Sequence, residues 1–464
     1  MHRGLRATVH LLTAPRLGVK PSRPILDYRG IAENAEAKSQ NIIKRNSKLP
    51  DDTIPRIVAL HHQFATLTTE VNAKRSLQST ISDRVRDAKT DDARTAARAE
   101  ATLLKGELKG LQAKLDAVHE DLLNLAILVP NDAHPDVPVG PEENAVTLST
   151  HGPPPTPADR ARDHMAIAGA LDLVDGEAGA MAAGSSFYFL RNEAALLELA
   201  LVSYALSIAT KHGFTFVTTP DVVYANNAVR CGFHHRDAAT QTYHIETKPD
   251  SPKLVLAGTA EIPLAAMFGR QVIPKKDLPK LFVGLGHAFR AEAGAKGAEA
   301  HGLYRVHQFT KLELFAVTTP EQSESMFERM KGVQLEIFSG LGFPFRVLDM
   351  PTEQLGAPAY RKYDVEAWMP GRGAWGEISS ASNCTDYQAR RFHIKCYSTP
   401  KPGEHLYSFA HTLNGTAAAV PRLIIALLEN GARFEGETVV GLDLPEVLRP
   451  YWVHNPARDI IHWV

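Results

Sequence analysis

A chain of 464 residues, 44% hydrophobic and 22% charged, is long enough for two or three domains and has a globular rather than fibrous or disordered composition. Its formal net charge of -1 gives no general attraction to nucleic acid, so any RNA contact has to rest on a local basic patch. The three cysteines, Cys231, Cys384 and Cys396, form no CxxC pair and exclude a disulfide framework; with His393 they make no familiar zinc spacing.

Residues 1–26 contain Arg3, Arg6, Arg16, Lys20 and Arg23, and no acidic residue precedes Asp27. With a short Leu/Val/Ala stretch between the first charges, this is the pattern of an amphipathic mitochondrial presequence, the alternative being a plain basic tail. No apolar run of about 18 residues is present, so no membrane-spanning helix is expected.

Residues 27–130 read as a helical arm. Ile57, Leu60, Phe64, Leu67 and Val71 step by three and four, and Ile81 and Val85 resume the register with Lys74 and Gln78 between. After Thr90-Asp91-Asp92, a turn and N-cap signal, Leu104, Leu108, Leu111, Leu115, Val118, Leu122 and Leu125 form a second seam. Two such helices joined by a short turn predict an antiparallel coiled-coil hairpin. Around its tip, residues 74–98 hold seven basic side chains against four acidic ones, whereas 99–128 is net acidic. Arg75, Arg84, Arg86, Lys89, Arg94 and Arg98 are the candidate phosphate contacts; a dimerisation or spacer coil is the blander alternative.

Residues 131–157, rich in Pro and Gly, read as a linker, and 158–452 as an α+β body. A helix is expected over 191–212 with Ala195, Leu199, Val202 and Leu206 on its apolar face, and another over about 416–430. β-rich runs fall at 214–218, 253–256, 281–285, 307–316 and 345–350. Their irregular alternation with helices predicts a largely antiparallel sheet rather than a βαβ repeat. Residues 453–464 form an unassigned tail. Neither a P-loop nor a dinucleotide fingerprint is present, so a bound nucleotide would be held by side chains, chiefly arginines.

Five ordered blocks carry a resemblance. Gly213-Phe214-Thr215-Phe216-Val217-Thr218-Thr219-Pro220 resembles motif 1 of the class II aminoacyl-tRNA synthetases. Phe289-Arg290-Ala291-Glu292-Ala293-Gly294 with Gly302-Leu303-Tyr304-Arg305-Val306-His307-Gln308-Phe309-Thr310-Lys311-Leu312-Glu313 resembles motif 2 in its seryl form. Leu413-Asn414-Gly415-Thr416 and Pro421-Arg422 resemble motif 3. The blocks from Gly258 to Leu264 and from Glu377 to Arg391 are similar to segments particular to seryl enzymes, and the hairpin is similar to their tRNA-binding arm.

The resemblance implies an antiparallel sheet of six or seven strands flanked by helices. It also implies a homodimer formed through motif 1, and synthesis of seryl-adenylate from L-serine and ATP with Mg²⁺, followed by transfer to tRNA(Ser). Arg290, Arg422 and Glu377 would be the catalytic residues, with Arg290 on the α-phosphate, Arg422 on the γ-phosphate and Arg305 on the triphosphate. Phe309 would stack on adenine, whose edge Glu292 and the Val306 backbone would read; Ala291, Ile378, Ser379 and Ser380 complete the ATP set. Glu377 and Ser380 would hold Mg²⁺. Thr259, Ala260, Glu261, Arg290, Glu313, Asn414 and Thr416 would surround serine. With the basic N-terminus, the expected location is the mitochondrial matrix.

Two departures stand out. The motif 2 loop from Ala295 to His301 lacks an Asp and Arg common before the Gly-Leu pair. Pro421 disfavours helical geometry at Val420, which predicts a distorted start to motif 3. Two rivals share these motifs: an enzyme of the same fold that loads a carrier protein, and a non-catalytic RNA-binding subunit.

Overall fold

The computed structural model describes residues 23–233, 242–292, 301–398, 406–453 and 458–464. Most of the expected presequence and most of the motif 2 loop lie outside the described residues. Residues 23–26, counted with the presequence on charge alone, are packed where the arm meets the body: Leu26 is buried in the core of the arm, Arg23 pairs with Glu120 of the arm, and Ile25 N–H donates to Arg390 O of the body.

Two short helices, Tyr28–Glu33 and Ala35–Lys44, precede the hairpin helices α1 (Thr53–Asp87) and α2 (Asp91–Ala126). Ile57, Val71 and Ile81 of α1 are buried, as are Leu104, Val118 and Leu122 of α2, so the 4-3 seam closes as expected. Thr90 caps α2 by accepting from Ala93 N–H, and Asp91 and Asp92 sit in the first turn, where the helix dipole favours negative charge. Lys74 bridges to Glu107 and Arg84 to Glu100 across the seam, fixing its register.

The body is built on an eight-stranded sheet. Its strands are β1 (Val146–His151), β2 (Thr215–Thr218), β3 (Lys280–Phe289), β4 (Gln308–Thr318), β5 (Phe345–Asp349), β6 (Arg361–Met369), β7 (Ala374–Asn383) and β8 (His411–Ala419), in spatial order β1-β5-β6-β7-β8-β4-β3-β2. All neighbours are antiparallel except the β2–β3 pair at one edge. The sheet therefore has more strands than expected. One of them, β1, comes from the predicted linker 131–157, whose Val146–His151 segment pairs with β5. Pro and Gly density hid a strand at an edge, the place in a sheet where such neighbours are tolerated.

Helices α3 (Asn192–Lys211), α5 (Ser323–Gly340) and α6 (Val420–Gly431) share a core with one sheet face, and the short α4 (Glu261–Met267) packs on the other. In α3 the buried residues include Ala194, Leu197, Leu201, Tyr204 and Ile208; of the expected face, Val202 and Leu206 pack against the same core while Leu199 is 55% exposed, so that face was right only in part. The helix is apolar almost all round, and periodicity cannot choose a face without polar residues opposite. For the same reason α3 is long and apolar enough to cross a membrane by length and composition alone; here half of it is buried in the protein.

The predicted helix over 416–430 begins later, because Thr416 to Ala419 belong to β8. The expected distortion is absent: Ala419 is extended, Val420 opens α6, and Pro421 sits in the first turn, where its missing N–H removes no helical bond. The described end of the tail, residues 458–464, is held to the body. Within it Ile461–Trp463 runs parallel to Thr438–Leu444, and Arg458 pairs with the buried Glu193.

Candidate active site

Strands β3, β4, β7 and β8 place the motif residues around one cleft. Alternation along β4 sends Phe309, Lys311 and Glu313 to the cleft, while Leu312 and Leu314 enter the core. On β7, Glu377 and Ser380 are an odd number of residues apart and would face opposite ways in a regular strand. A bulge at Ile378 resets the register, so both line the cleft. Two adjoining hollows share Arg290, Glu292, Arg305, Lys311, Glu377 and Ser380; the larger one has a volume of about 560 Å³.

The first lobe is cationic. Arg290 lies 5.4 Å over the Phe309 ring and donates through Nε to Gly258 O at 3.3 Å. Arg422 donates to Glu377 O at 2.8 Å and meets Glu377 Oε2 at 3.2 Å. Burial pushes the Arg290 pKa down, and the neighbouring Arg422 adds to it, so an incoming anion would relieve this pair. Burial works against ionisation of Glu377, but Arg422, Lys362 and Arg290 outweigh it and hold its pKa at about 2. Arg305 pairs with Glu292 at 3.1 Å, and Leu303, Val306 and Ile378 complete the apolar wall.

The second lobe holds two carboxylates that the first does not, Glu261 and Glu313. Glu313 accepts from Thr259 Oγ1 at 3.1 Å and is paired with the buried Lys311. Glu261 accepts from Gln388 Nε2 at 2.5 Å and from Asn414 Nδ2 at 2.9 Å. Burial, with the negative charge of Glu313 beside it, raises the Glu261 pKa to about 7.

Some expected site residues are placed otherwise. The Ser379 hydroxyl donates to Thr416 O at 2.7 Å and accepts from Gln334 Nε2, so it ties β7 to β8. Thr416 is buried and lines the first lobe rather than the second. Ala260 is in the core, and it and Ala291 can offer a ligand only backbone groups. The basic hairpin residues stand apart from the cleft. Arg75, Arg84, Arg86, Lys89 and Arg98 are exposed, and Arg94 is half-buried against Ala88 O.

The residue signals missed Lys311, Gln388 and Tyr304. Tyr304 is stacked between Arg372 at 4.0 Å and Arg422 at 4.6 Å, and its hydroxyl accepts from Glu377 N–H. Strand alternation could have found Lys311, two residues from Glu313 on one face. Among the described residues, Asp163, His164 and His301 gather closely enough for a metal. However, His164 uses Nδ1 on Glu429 at 3.0 Å and Nε2 on Leu303 N–H at 3.2 Å, so its ring brings no free ligand atom.

Comparison with known proteins agrees with this layout. Residues 25–133 match the seryl-tRNA synthetase N-terminal domain, and 243–431 the tRNA synthetase class II core domain (G, H, P, S and T). The serine–tRNA ligase of Rhodopirellula baltica is 42% identical over 433 residues, covering 92% of this chain and 98% of that protein. The mitochondrial serine–tRNA ligase of Schizosaccharomyces pombe is 41% identical, covering 92% and 88%. The crystal structure of seryl-tRNA synthetase from Pyrococcus horikoshii complexed with ATP superposes with a TM-score of 0.79 at 31% identity, covering 92% of this chain and 98% of that one. The fold, the two-lobed cleft and matches along nearly the whole chain agree: it belongs to the seryl-tRNA synthetases, class II enzymes that join serine to tRNA.

Proposed function

We propose that the cationic first lobe binds ATP, the second lobe, with Glu261 and Glu313, binds L-serine, and the hairpin presents tRNA(Ser) for charging in the mitochondrial matrix. The observation that carries this reading is the placement of charge: Arg422 lies in the first lobe only, Glu261 and Glu313 in the second only, and Arg290 stands where the two meet.

A serine carboxylate oxygen attacks the α-phosphorus as the bond to the bridging oxygen of pyrophosphate breaks. Both reactants are anions, so the work of Arg290 and Arg422 is to align them and to neutralise charge. No general base is needed, because the attacking carboxylate is already ionised. A ribose hydroxyl at the tRNA 3′ end then attacks the serine carbonyl, and AMP leaves. Phe309 offers its face to adenine. Glu313 and Glu261 hold the ammonium group, and Thr259 and Asn414 supply polar partners near the hydroxyl. An alanine ligand would leave such partners unpaired, which is the basis for rejecting it.

Glu377, held ionised, and the hydroxyl of Ser380 are hard oxygen donors of the kind Mg²⁺ takes. The ion would neutralise phosphate charge when bound with the nucleotide. A homodimer is supported by the sheet edge at β2, where Phe216 is 40% exposed and Leu199, Val222 and Tyr224 are exposed as well. The matrix location is supported by the acid-free basic N-terminus, and one of the relatives above is mitochondrial.

Serine-dependent ATP–pyrophosphate exchange is the direct test. No exchange with serine, or equal exchange with alanine, would overturn the reading. Imaging a fusion of residues 1–30 to a fluorescent protein tests the location, and light scattering the dimer.

A further inference from the structure

One wall of the serine lobe lies between β5 and β6, where Gln354 ends a 3-10 turn and Gly356 to Ala359 are irregular chain. A wall without a hydrogen-bonded ladder needs partners from elsewhere. Six consecutive carbonyls here, Leu355 to Tyr360, all accept from the N-terminal part of the chain. Arg45 donates to Leu355 O at 3.3 Å, to Gly356 O at 2.5 Å and to Ala359 O at 3.0 Å. Asn131 donates from its backbone N–H to Ala357 O at 2.8 Å and from Nδ2 to Pro358 O at 2.9 Å, and His134 N–H reaches Tyr360 O.

Arg45 also donates to Asn131 O at 3.0 Å, joining the two anchors, and it is only 6% exposed. The wall closes on Gly232 opposite, where an added Cβ would lie 2.7 Å from Pro358 Cδ. A small outward shift of the wall therefore opens the lobe.

We infer that Arg45 is a positioning residue for serine recognition: the N-terminal segment shapes the amino-acid lobe as well as carrying the hairpin. This rests on the serine-activating function proposed above. A planar guanidinium can reach the carbonyls of Gly356 and Ala359 together, which a lysine ammonium does far less well. Arg45 touches none of the nucleotide lobe, so its loss separates the two substrates.

The test is ATP–pyrophosphate exchange by full-length wild type, Arg45→Met, Asn131→Ala and, as a control, the exposed Arg29→Met. The serine KM of Arg45→Met is expected to rise about tenfold or more, with the ATP KM within about twofold. Arg45→Lys should recover only part of the loss, and Arg29→Met should match wild type. Hydrogen exchange should quicken over residues 354–360 in Asn131→Ala. A serine KM unchanged in folded Arg45→Met, or serine and ATP KM rising together, overturns the inference. If Arg45→Met does not fold, Asn131→Ala decides on the same criteria. Absence of serine-dependent exchange in wild type instead overturns the functional reading.

Discussion

Arg422 Nη1 faces Glu377 Oε2 at 3.2 Å, so the group assigned to the γ-phosphate and the group assigned to Mg²⁺ neutralise each other in the free protein. Lys311 and Glu313 do the same in the second lobe, proposed above for serine. Binding then exchanges partners within prepared ion pairs instead of leaving charges unpaired in a buried cleft.

This exchange predicts opposite effects of one substitution. Glu377→Gln frees Arg422, so Mg²⁺-free ATP should bind a few-fold more tightly than to wild type, while exchange with Mg²⁺ falls by about 10²-fold or more. Equilibrium binding of ATP with and without the metal checks the first effect, and exchange kinetics the second.

Glu261 should release a proton when serine binds. Its free-state pKa is about 7, raised by burial and by Glu313, and an ammonium group beside it favours the carboxylate. Serine affinity is therefore expected to rise with pH through neutrality. Calorimetry in buffers of different ionisation enthalpy should show proton release at pH 7, absent in Glu261→Gln. Because the folded pKa is raised, the linked stability is fully present below the unfolded value and is lost as pH rises through about 7. Glu261→Gln should therefore lose less stability than wild type as pH rises from about 5 to about 7.

Gly302→Ala should destabilise the body by about 2 kcal/mol or more, read as a lowered Tm. The residue has φ +58°, and an added Cβ would lie 2.2 Å from His164 Nε2. That nitrogen accepts from Leu303 N–H, while Nδ1 is held by Glu429. The same change should disturb Tyr304, and so raise the ATP KM.

Charge reversal of Lys89 and Arg98, exposed around the hairpin turn, should raise the KM for tRNA and flatten its salt dependence. Serine-dependent exchange should stay within about twofold of wild type.

How much of this was legible in the sequence depends on which residues carry it. The hairpin was legible because its seam is periodic and Thr90 is a clear cap. The cleft arginines and carboxylates were legible because they stand in ordered blocks. The face of α3 was legible only in part, since leucines and alanines surround the helix: Val202 and Leu206 pack on the core but Leu199 does not. β1 was hidden among prolines and glycines, and the bulge that aims Glu377 and Ser380 together has no local signature. Arg45 was invisible for another reason: its partners are carbonyls some 310 residues away, and carbonyls carry no residue code.

The length of α1 and α2 makes the hairpin a lever. Its 35 residues in α1 span roughly 50 Å, so a tilt of about 5° at the base sweeps the tip through about 4 Å. The basic end can thus change position without either helix melting, as the proposed tRNA contact would require, while the same angle moves atoms near the base by only a fraction of an ångström. Energy-transfer measurements between a dye at Lys89 and one on the body would report that sweep directly.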